Sequence, residues 1–261
     1  MTAALAESDT EIVVAGEMYP EVLRRLHQVR APQTYFEIGT LHGDTLRLSQ
    51  CRSVAVDPIF QLTDPTAFDR SRITLREMTS DDYFAGYNPQ DDLGGPIDLA
   101  FLDGMHEFPY VLRDFNNTEK ACKPGSIIAL HDCIPRDYFM TRPHRDVGVI
   151  QKPSRYPGYW TGDVWKMVPV LRKYRPGLNL RCLDALPTGL AICTNLDPAS
   201  RVLADNYDAI ISEWGALELD DFGMRELFAI ARIDSTANWW KQVGPAPSLG
   251  RRLKQALGLS A

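Results

Sequence analysis

The stretch that most limits what this chain can fold into is residues 34–57. Tyr35, Phe36 and Ile38 form a short apolar, β-rich run, and Gly39 ends it. A helical pattern follows through Leu46 and Leu48. Val54-Ala55-Val56 is then a second buried strand that closes on an acid, Asp57. A strand, a glycine turn, a helix and a strand closed by a carboxylate make the half-unit of an α/β sheet that binds an adenosine-containing cofactor. Gly39 and Gly43 let the backbone approach a ligand where a Cβ would collide, and Asp57 can accept both hydroxyls of a ribose. The turn, Glu37-Ile38-Gly39-Thr40-Leu41-His42-Gly43, carries an acid two residues before its first glycine. A carboxylate there repels the pyrophosphate that a dinucleotide fingerprint seats on a helix N-terminus, and it suits a cationic amine. The expected ligand has an ammonium group and no phosphate.

The pattern continues along the chain. Met18, Val22, Leu23 and Leu26 are spaced for an amphipathic helix ahead of the first strand. A third strand is expected over 73–78, a turn-rich loop over 88–96, a central strand over 97–102 and a helix over 108–120, with Val111, Leu112 and Phe115 on one face. Lys123-Pro124-Gly125 reads as a turn before a strand over 126–130. A helix over 161–174 precedes strand candidates over 178–183 and 190–193, hinged at Pro187-Thr188-Gly189. Parallel strands separated by helices give a doubly wound α/β sheet. The chain divides into a helical lead-in over 1–33, loosely held up to about Val13, a main domain over 34–196, and a helical appendage over 197–261. In the appendage Tyr207, Ile210, Ile211 and Trp214 stand at helical spacing.

Two strand ends carry chemistry. Asp103 follows the strand over 97–102, with His106 three residues on, and His131-Asp132 closes the strand over 126–130. Neighbouring strands lie ~4.8 Å apart, so on adjacent strands these groups converge. Carboxylate oxygens and an imidazole nitrogen with open positions suit a six-coordinate divalent ion. His106 is the candidate general base; the plainer alternative is a histidine that opens a helix. His42 is a neighbour of the turn, and His27 and His144 carry no further signal. Residues 135–160 hold several prolines, the aromatics Tyr138, Phe139, Tyr156, Tyr159 and Trp160, and the bases Arg136, Arg142, His144, Arg145, Lys152 and Arg155. Such a loop after a ligand-bearing strand reads as a lid over an acceptor pocket, or else as a surface excursion.

Glu-Ile-Gly-Thr-x-x-Gly-x-Thr at 37–45, followed by Val-Asp-Pro at 56–58, resembles the first two motifs of class I S-adenosylmethionine-dependent methyltransferases. Asp-Gly-x-His at 103–106, then Pro-Gly at 124–125 and Leu-His-Asp at 130–132, resembles a bacterial family whose members often act on sugars or secondary metabolites. The resemblance spans about 34–195. It implies a Rossmann-like methyltransferase fold: a doubly wound, mostly parallel seven-stranded sheet with an antiparallel last strand. It implies S-adenosylmethionine held by Glu37, Gly39, Thr40, Gly43, Thr45, Asp57 and Asp103, with Ser80 beside the adenine; a plain helix cap is the alternative for Ser80. The strand-end acids are similar to those of metal-dependent O-methyltransferases such as catechol O-methyltransferase and the macrolide- and aminocoumarin-sugar enzymes. The implied metal set is Asp103, His131 and Asp132, and the implied catalytic set is His106, Asp103 and His131. Those relatives carry Asp-Asp or Asp-Asn where this chain has His131-Asp132, and the imidazole biases the site from Mg²⁺ toward Mn²⁺, Fe²⁺ or Zn²⁺.

Composition narrows the partners. A net charge of −6 argues against a nucleic-acid substrate, and no apolar run approaches the ~18 residues that span a bilayer. The five cysteines are scattered, odd in number and without metal spacing, and read as reduced thiols in a cytoplasmic protein. The basic run over 250–255 reads as a solvated helix end. The leading expectation is a methyltransferase acting on a hydroxyl of a small acceptor, a sugar or glycan precursor or a secondary metabolite, assisted by a divalent ion. The arginines of 135–160 would suit a phosphate or carboxylate on that acceptor. A homo-oligomer is compatible with this reading. The alternatives are a metal-independent methyltransferase using His106 on oxygen or nitrogen, a nicotinamide-dependent oxidoreductase, disfavoured by the missing pyrophosphate glycines, and a nucleoside-binding scaffold without chemistry.

Overall fold

In the computed structural model, which describes residues 14–142, 156 and 158–243, side chains alternate between the two faces of the central strands and so sort the site residues by face. The strands are β1 (Thr34–Ile38), β2 (Arg52–Asp57), β3 (Ile73–Glu77), β4 (Ile97–Leu102), β5 (Cys122–His131), β6 (Asn179–Leu183) and β7 (Leu190–Thr194), in the order β3-β2-β1-β4-β5-β7-β6. β1 to β5 pair in parallel, while β7 runs antiparallel between β5 and β6. This is the expected doubly wound, mostly parallel seven-stranded sheet with an antiparallel last strand. Its central strands are apolar on both faces because helices or loops cover both.

Phe36, Ile38, Val54, Val56, Ala100, Leu102, Ile128 and Leu130 face one core. Tyr35, Ala55, Leu99, Phe101 and Ala129 face the other. Glu37 follows Tyr35 at a spacing of two, Asp103 follows Phe101 and His131 follows Ala129, so all three belong to the second face. That face is covered by α1 (Tyr19–Arg30), whose Val22, Leu23 and Leu26 are buried as their spacing predicts. It is also covered by Trp239 and Trp240 of α10 (Thr236–Val243), with Arg25 lying 4.6 Å from the centre of the Trp240 ring.

The first face carries α2 (Ser80–Gly86), α3 (Pro89–Leu93), α4 (Phe108–Lys120) and α5 (Met167–Tyr174). It also takes α6 (Val202–Asp205), α7 (Tyr207–Trp214), α8 (Leu219–Phe222) and α9 (Met224–Ala231), whose Leu203, Ile210, Trp214, Leu219, Met224 and Leu227 join the same core. An Arg175–Glu119 ion pair, buried on both sides, ties the end of α5 to α4.

Three expectations give way. The helical pattern between β1 and β2 yields only a single 3₁₀ turn, Leu46–Leu48. The link 39–51 spends its first half on the Gly39 and Gly43 turns, both at positive φ, which leaves too little chain for an α-helix. The loop over 88–96 contains α3, because the Asn88 side chain accepts the Gln90 N–H at 2.9 Å and Pro89 stands in the first turn. The turn at 123–125 lies within β5 as an exposed stretch where the register against β4 shifts. Residues up to Val13, the segment 143–155 with residue 157, and the basic run over 250–255 lie outside the described residues, and with them His144, Arg145, Lys152 and Arg155. Among the described residues no helix is long and apolar enough to cross a membrane.

Candidate functional site

The tips of β1 and β2 build a turn stocked with buried acids. Gly39 has φ +83°, and a Cβ there would overlap the backbone carbonyl of Asp103. Glycine is needed here because the tip of β4 presses against it. Gly43 likewise makes room for the Phe68 ring. Asp57 is buried; its Oδ2 accepts the Leu41 N–H at 2.8 Å and its Oδ1 accepts the Ile59 N–H at 2.9 Å. One carboxylate therefore holds both loops that leave the strand tips, and a ribose would use its remaining lone pairs.

Glu37 is wholly buried, with the Tyr35 hydroxyl donating to Oε2. Burial pushes its carboxyl up to about 7, opposed by the hydroxyls of Tyr35, Thr40 and Thr45. Its Oε1 and the Thr40 Oγ1 make no hydrogen bond of good geometry. Buried polar atoms without partners are uncommon, and these two fit a ligand that brings its own donor, such as the ammonium of S-adenosylmethionine. Ser80 is the first residue of α2, capped by Thr79, and its hydroxyl lies by the buried Asp114 carboxyl, which burial pushes up to about 7.

The tips of β4 and β5 bring Asp103, His131, Asp132 and His106 together. Asp103 Oδ1 lies 3.0 Å from His131 Nδ1 and 3.2 Å from His106 Nε2. His106 Nδ1 lies 3.1 Å from Asp132 Oδ2 and 3.0 Å from the Trp160 carbonyl oxygen. Asp132 Oδ1 lies 3.5 Å from His131 Nδ1 and accepts the Thr188 hydroxyl. Both nitrogens of His106 thus face oxygen acceptors, which only the doubly protonated ring can satisfy. Burial pulls its pKa down, but Asp132 and Asp103 outweigh burial and lift it to about 9. His131 is raised in the same way, against burial, by Asp132 and Asp103. Burial pushes the Asp103 carboxyl up, yet His131 and His106 hold it well below the usual range.

His106 (φ 57°) and Asp132 (φ 59°) are both left-handed, a conformation that costs a non-glycine residue energy and concentrates at functional sites. Asp103, His131 and Asp132 each offer a ligand atom, and these lie within 4.8 Å of one another. Two carboxylates and an imidazole so placed fit a divalent transition ion.

Three residues at this site carry no motif. The Tyr19 ring lies 3.9 Å from the His131 ring, centre to centre. Thr188 reaches Asp132 because β7 pairs with β5, with His131 opposite Leu190; its place in the β6–β7 hinge was legible, its contact was not. Asp163 accepts the Phe108 N–H at the start of α4 and pairs with the buried Lys166. Trp160, read as part of the lid, stacks on His106 at 5.0 Å and 26°. A Cβ on Gly162 would overlap the His106 carbonyl, so the returning arm of that stretch is seated against the site. Arg142, expected to suit an anionic acceptor, instead pairs with Glu218 and Asp220. A cavity of about 610 Å³ lies at the opposite ends of β1 and β2, lined by Arg24, Arg47 and Arg52 among others. Those arginines already face Glu21, Asp44 and the Leu93 carbonyl, so the cavity adds nothing to the tips.

Residues 36–133, from β1 through Asp132 and one residue beyond, match the model of a family described as a methyltransferase domain. The sheet has the Rossmann-like methyltransferase fold, and the segment spanning its first five strands matches a methyltransferase domain.

Solved structures similar to it include the O-methyltransferase TomG from Streptomyces achromogenes in complex with S-adenosylmethionine, at 14% identity and a TM-score of 0.49, covering 69% of this chain and 80% of that one. Another is PaMTH1 from Podospora anserina bound to S-adenosylhomocysteine, at 16% identity and a TM-score of 0.48, covering 69% and 78%. A third is an O-methyltransferase from Bacillus cereus in complex with S-adenosylhomocysteine, at 17% identity and a TM-score of 0.44, covering 67% and 80%. No curated protein sequence matches the chain.

Proposed function

We propose that this methyltransferase acts on oxygen, transferring the methyl group to a hydroxyl of a small acceptor, with a divalent ion held by Asp103, His131 and Asp132. The observation that carries the reading is the convergence of two carboxylates and two imidazoles on the tips of β4 and β5, in contact through Gly39 with the acid-bearing turn of β1. Bound S-adenosylmethionine supplies a methyl group already activated on a sulfonium. Glu37 receives its ammonium and Asp57 its ribose, which fixes the direction of the methyl. Attack geometry set in advance is worth up to ~7–11 kcal/mol. A divalent ion at the cluster would lower the pKa of the acceptor hydroxyl. With the ion's charge in place of its proton, which goes to solvent, His106 would take the acceptor's hydroxyl proton as that oxygen attacks the methyl and the C–S bond breaks to release the neutral thioether, while Trp160 and Gly162 close the site against water. The flat Trp160 face beside His106 supports a sugar or a similarly shaped secondary metabolite as acceptor.

A second reading is favoured by one observation. His106 already bridges Asp103 and Asp132 as a cation, so the cluster can balance its charge with a proton and work without metal. The test is a screen of sugar nucleotides and phenols for release of S-adenosylhomocysteine, repeated with a chelator and with Mn²⁺ restored. Chelator-sensitive methylation of a hydroxyl is expected. Turnover that ignores the chelator assigns the chemistry to His106 alone, and methylation confined to nitrogen ends the hydroxyl reading.

A further inference from the structure

Tyr19 lies outside every motif, yet its backbone is pinned. Its N–H donates to the Leu186 carbonyl at 2.9 Å, the Leu186 N–H returns to the Glu17 carbonyl at 2.9 Å, and the Gly16 N–H donates to the Asp184 carbonyl at 3.0 Å. The strand-like segment ahead of α1 is thereby stitched to the β6–β7 hinge, and the first side chain of the helix is delivered to the strand tips. Its ring lies 3.9 Å from His131 and 5.8 Å from Phe101, on the face of the sheet that carries Glu37, Asp103 and His131. Burial and then four carboxylates bear on its phenol: Asp103 and Asp132 from one pair of tips, Glu37 and Asp44 from the other. The phenol is therefore kept protonated, and its ring lies beside the cluster, against His131.

An electron-rich ring attracts a cation and disfavours an anion, and the carboxylates near Tyr19 outnumber the one imidazole, His131, that lies against its ring. A donor with its ammonium at Glu37 and its methyl aimed at Asp103 and Asp132 must pass its sulfur through this region. We propose that Tyr19 is a donor-contacting residue whose ring recognises the positive charge of the sulfonium. The sulfur is positive before transfer and neutral after it. The contact therefore favours the charged donor over the neutral thioether product and helps the product leave. This inference rests on the methyltransferase reading. The competing account is that Tyr19 only packs on His131.

Calorimetry with S-adenosylmethionine and S-adenosylhomocysteine separates the two. The wild-type chain is expected to prefer the charged donor. Tyr19→Leu is expected to reduce that preference roughly 5- to 20-fold, the range of a partly desolvated cation–π contact, while product affinity stays within about twofold. Tyr19→Phe, which keeps the ring, is expected to retain the preference. If Tyr19→Leu does not fold, pentafluorophenylalanine at the same position keeps the shape, withdraws the ring's charge and carries the same expectation. An equal loss for both ligands, an unchanged preference, or a loss in Tyr19→Phe as large as in Tyr19→Leu overturns the proposal alone. A wild-type chain that binds neither ligand overturns the donor reading and this proposal together.

Discussion

At the tips of β1 and β2 the acids are held by neutral donors: Asp57 by the Leu41 and Ile59 amides, Glu37 by the Tyr35 hydroxyl. At the tips of β4 and β5 the acids Asp103 and Asp132 face two imidazoles. Both sets are buried or nearly so, and both end strands of one sheet. The first leaves Glu37 Oε1 and Thr40 Oγ1 without a well-aligned partner, which on the proposed function is where the donor's ammonium binds. The second already holds its countercharge as protons, which can move or be exchanged for a metal. On the proposed function, binding and chemistry divide between two pairs of strand tips, joined where Gly39 meets Asp103.

The division can be broken by mutation, and the largest effect is expected at Asp103, which bonds both histidines. Asp103→Asn should lower turnover by roughly 10²–10⁴-fold, the usual weight of a proton-transfer constellation, while single-turnover binding shifts donor affinity only a few-fold. A comparable loss in both would erase the distinction between the tips. His106→Ala should follow, with turnover down by about 10²-fold or more and donor affinity nearly unchanged; unaltered turnover removes His106 from the mechanism. Asp57→Ala should do the reverse. Donor binding should weaken by about 1.5–3 kcal/mol through lost charge-assisted hydrogen bonds, with the chemical step for bound donor largely preserved. Equal affinity in that variant would mean the ribose is held elsewhere.

The smallest effect concerns pH. The Glu37 carboxyl sits at about 7 in the folded chain because it is buried, against an ordinary value of 4.5 when exposed. Between these values the folded chain binds more protons than the unfolded chain, so stability falls as pH rises through this window and levels off above about 7. Glu37→Gln should flatten that fall in urea midpoints taken at about pH 5 and about pH 8. Donor affinity should rise over the same window in the wild-type chain, because the ionised carboxylate pairs with the ammonium, and stay level in the variant. A flat wild-type profile would show that Glu37 does not titrate with the site.

Much of this was written in local pattern. Alternation along β1, β4 and β5 puts Glu37, Asp103 and His131 on one face, and strand ends in a parallel sheet point their last residues at a ligand. The proposed function takes its chemistry from the residue types at those positions. Short-range periodicity did not foresee the loss of the β1–β2 helix, which depends on how much chain the Gly39–Gly43 turn consumes.

The sequence by itself determined the sheet and its strand-end acids, because side-chain alternation and turn chemistry act over a few residues. Only the tertiary structure decided that Gly39 yields to Asp103, that Arg142 is spent on Glu218 and Asp220, and that Tyr19, Trp160 and Thr188 meet at the two histidines. Those contacts depend on strand order and on the left-handed backbone of His106 and Asp132, which join segments far apart in the chain and leave no periodic trace along it.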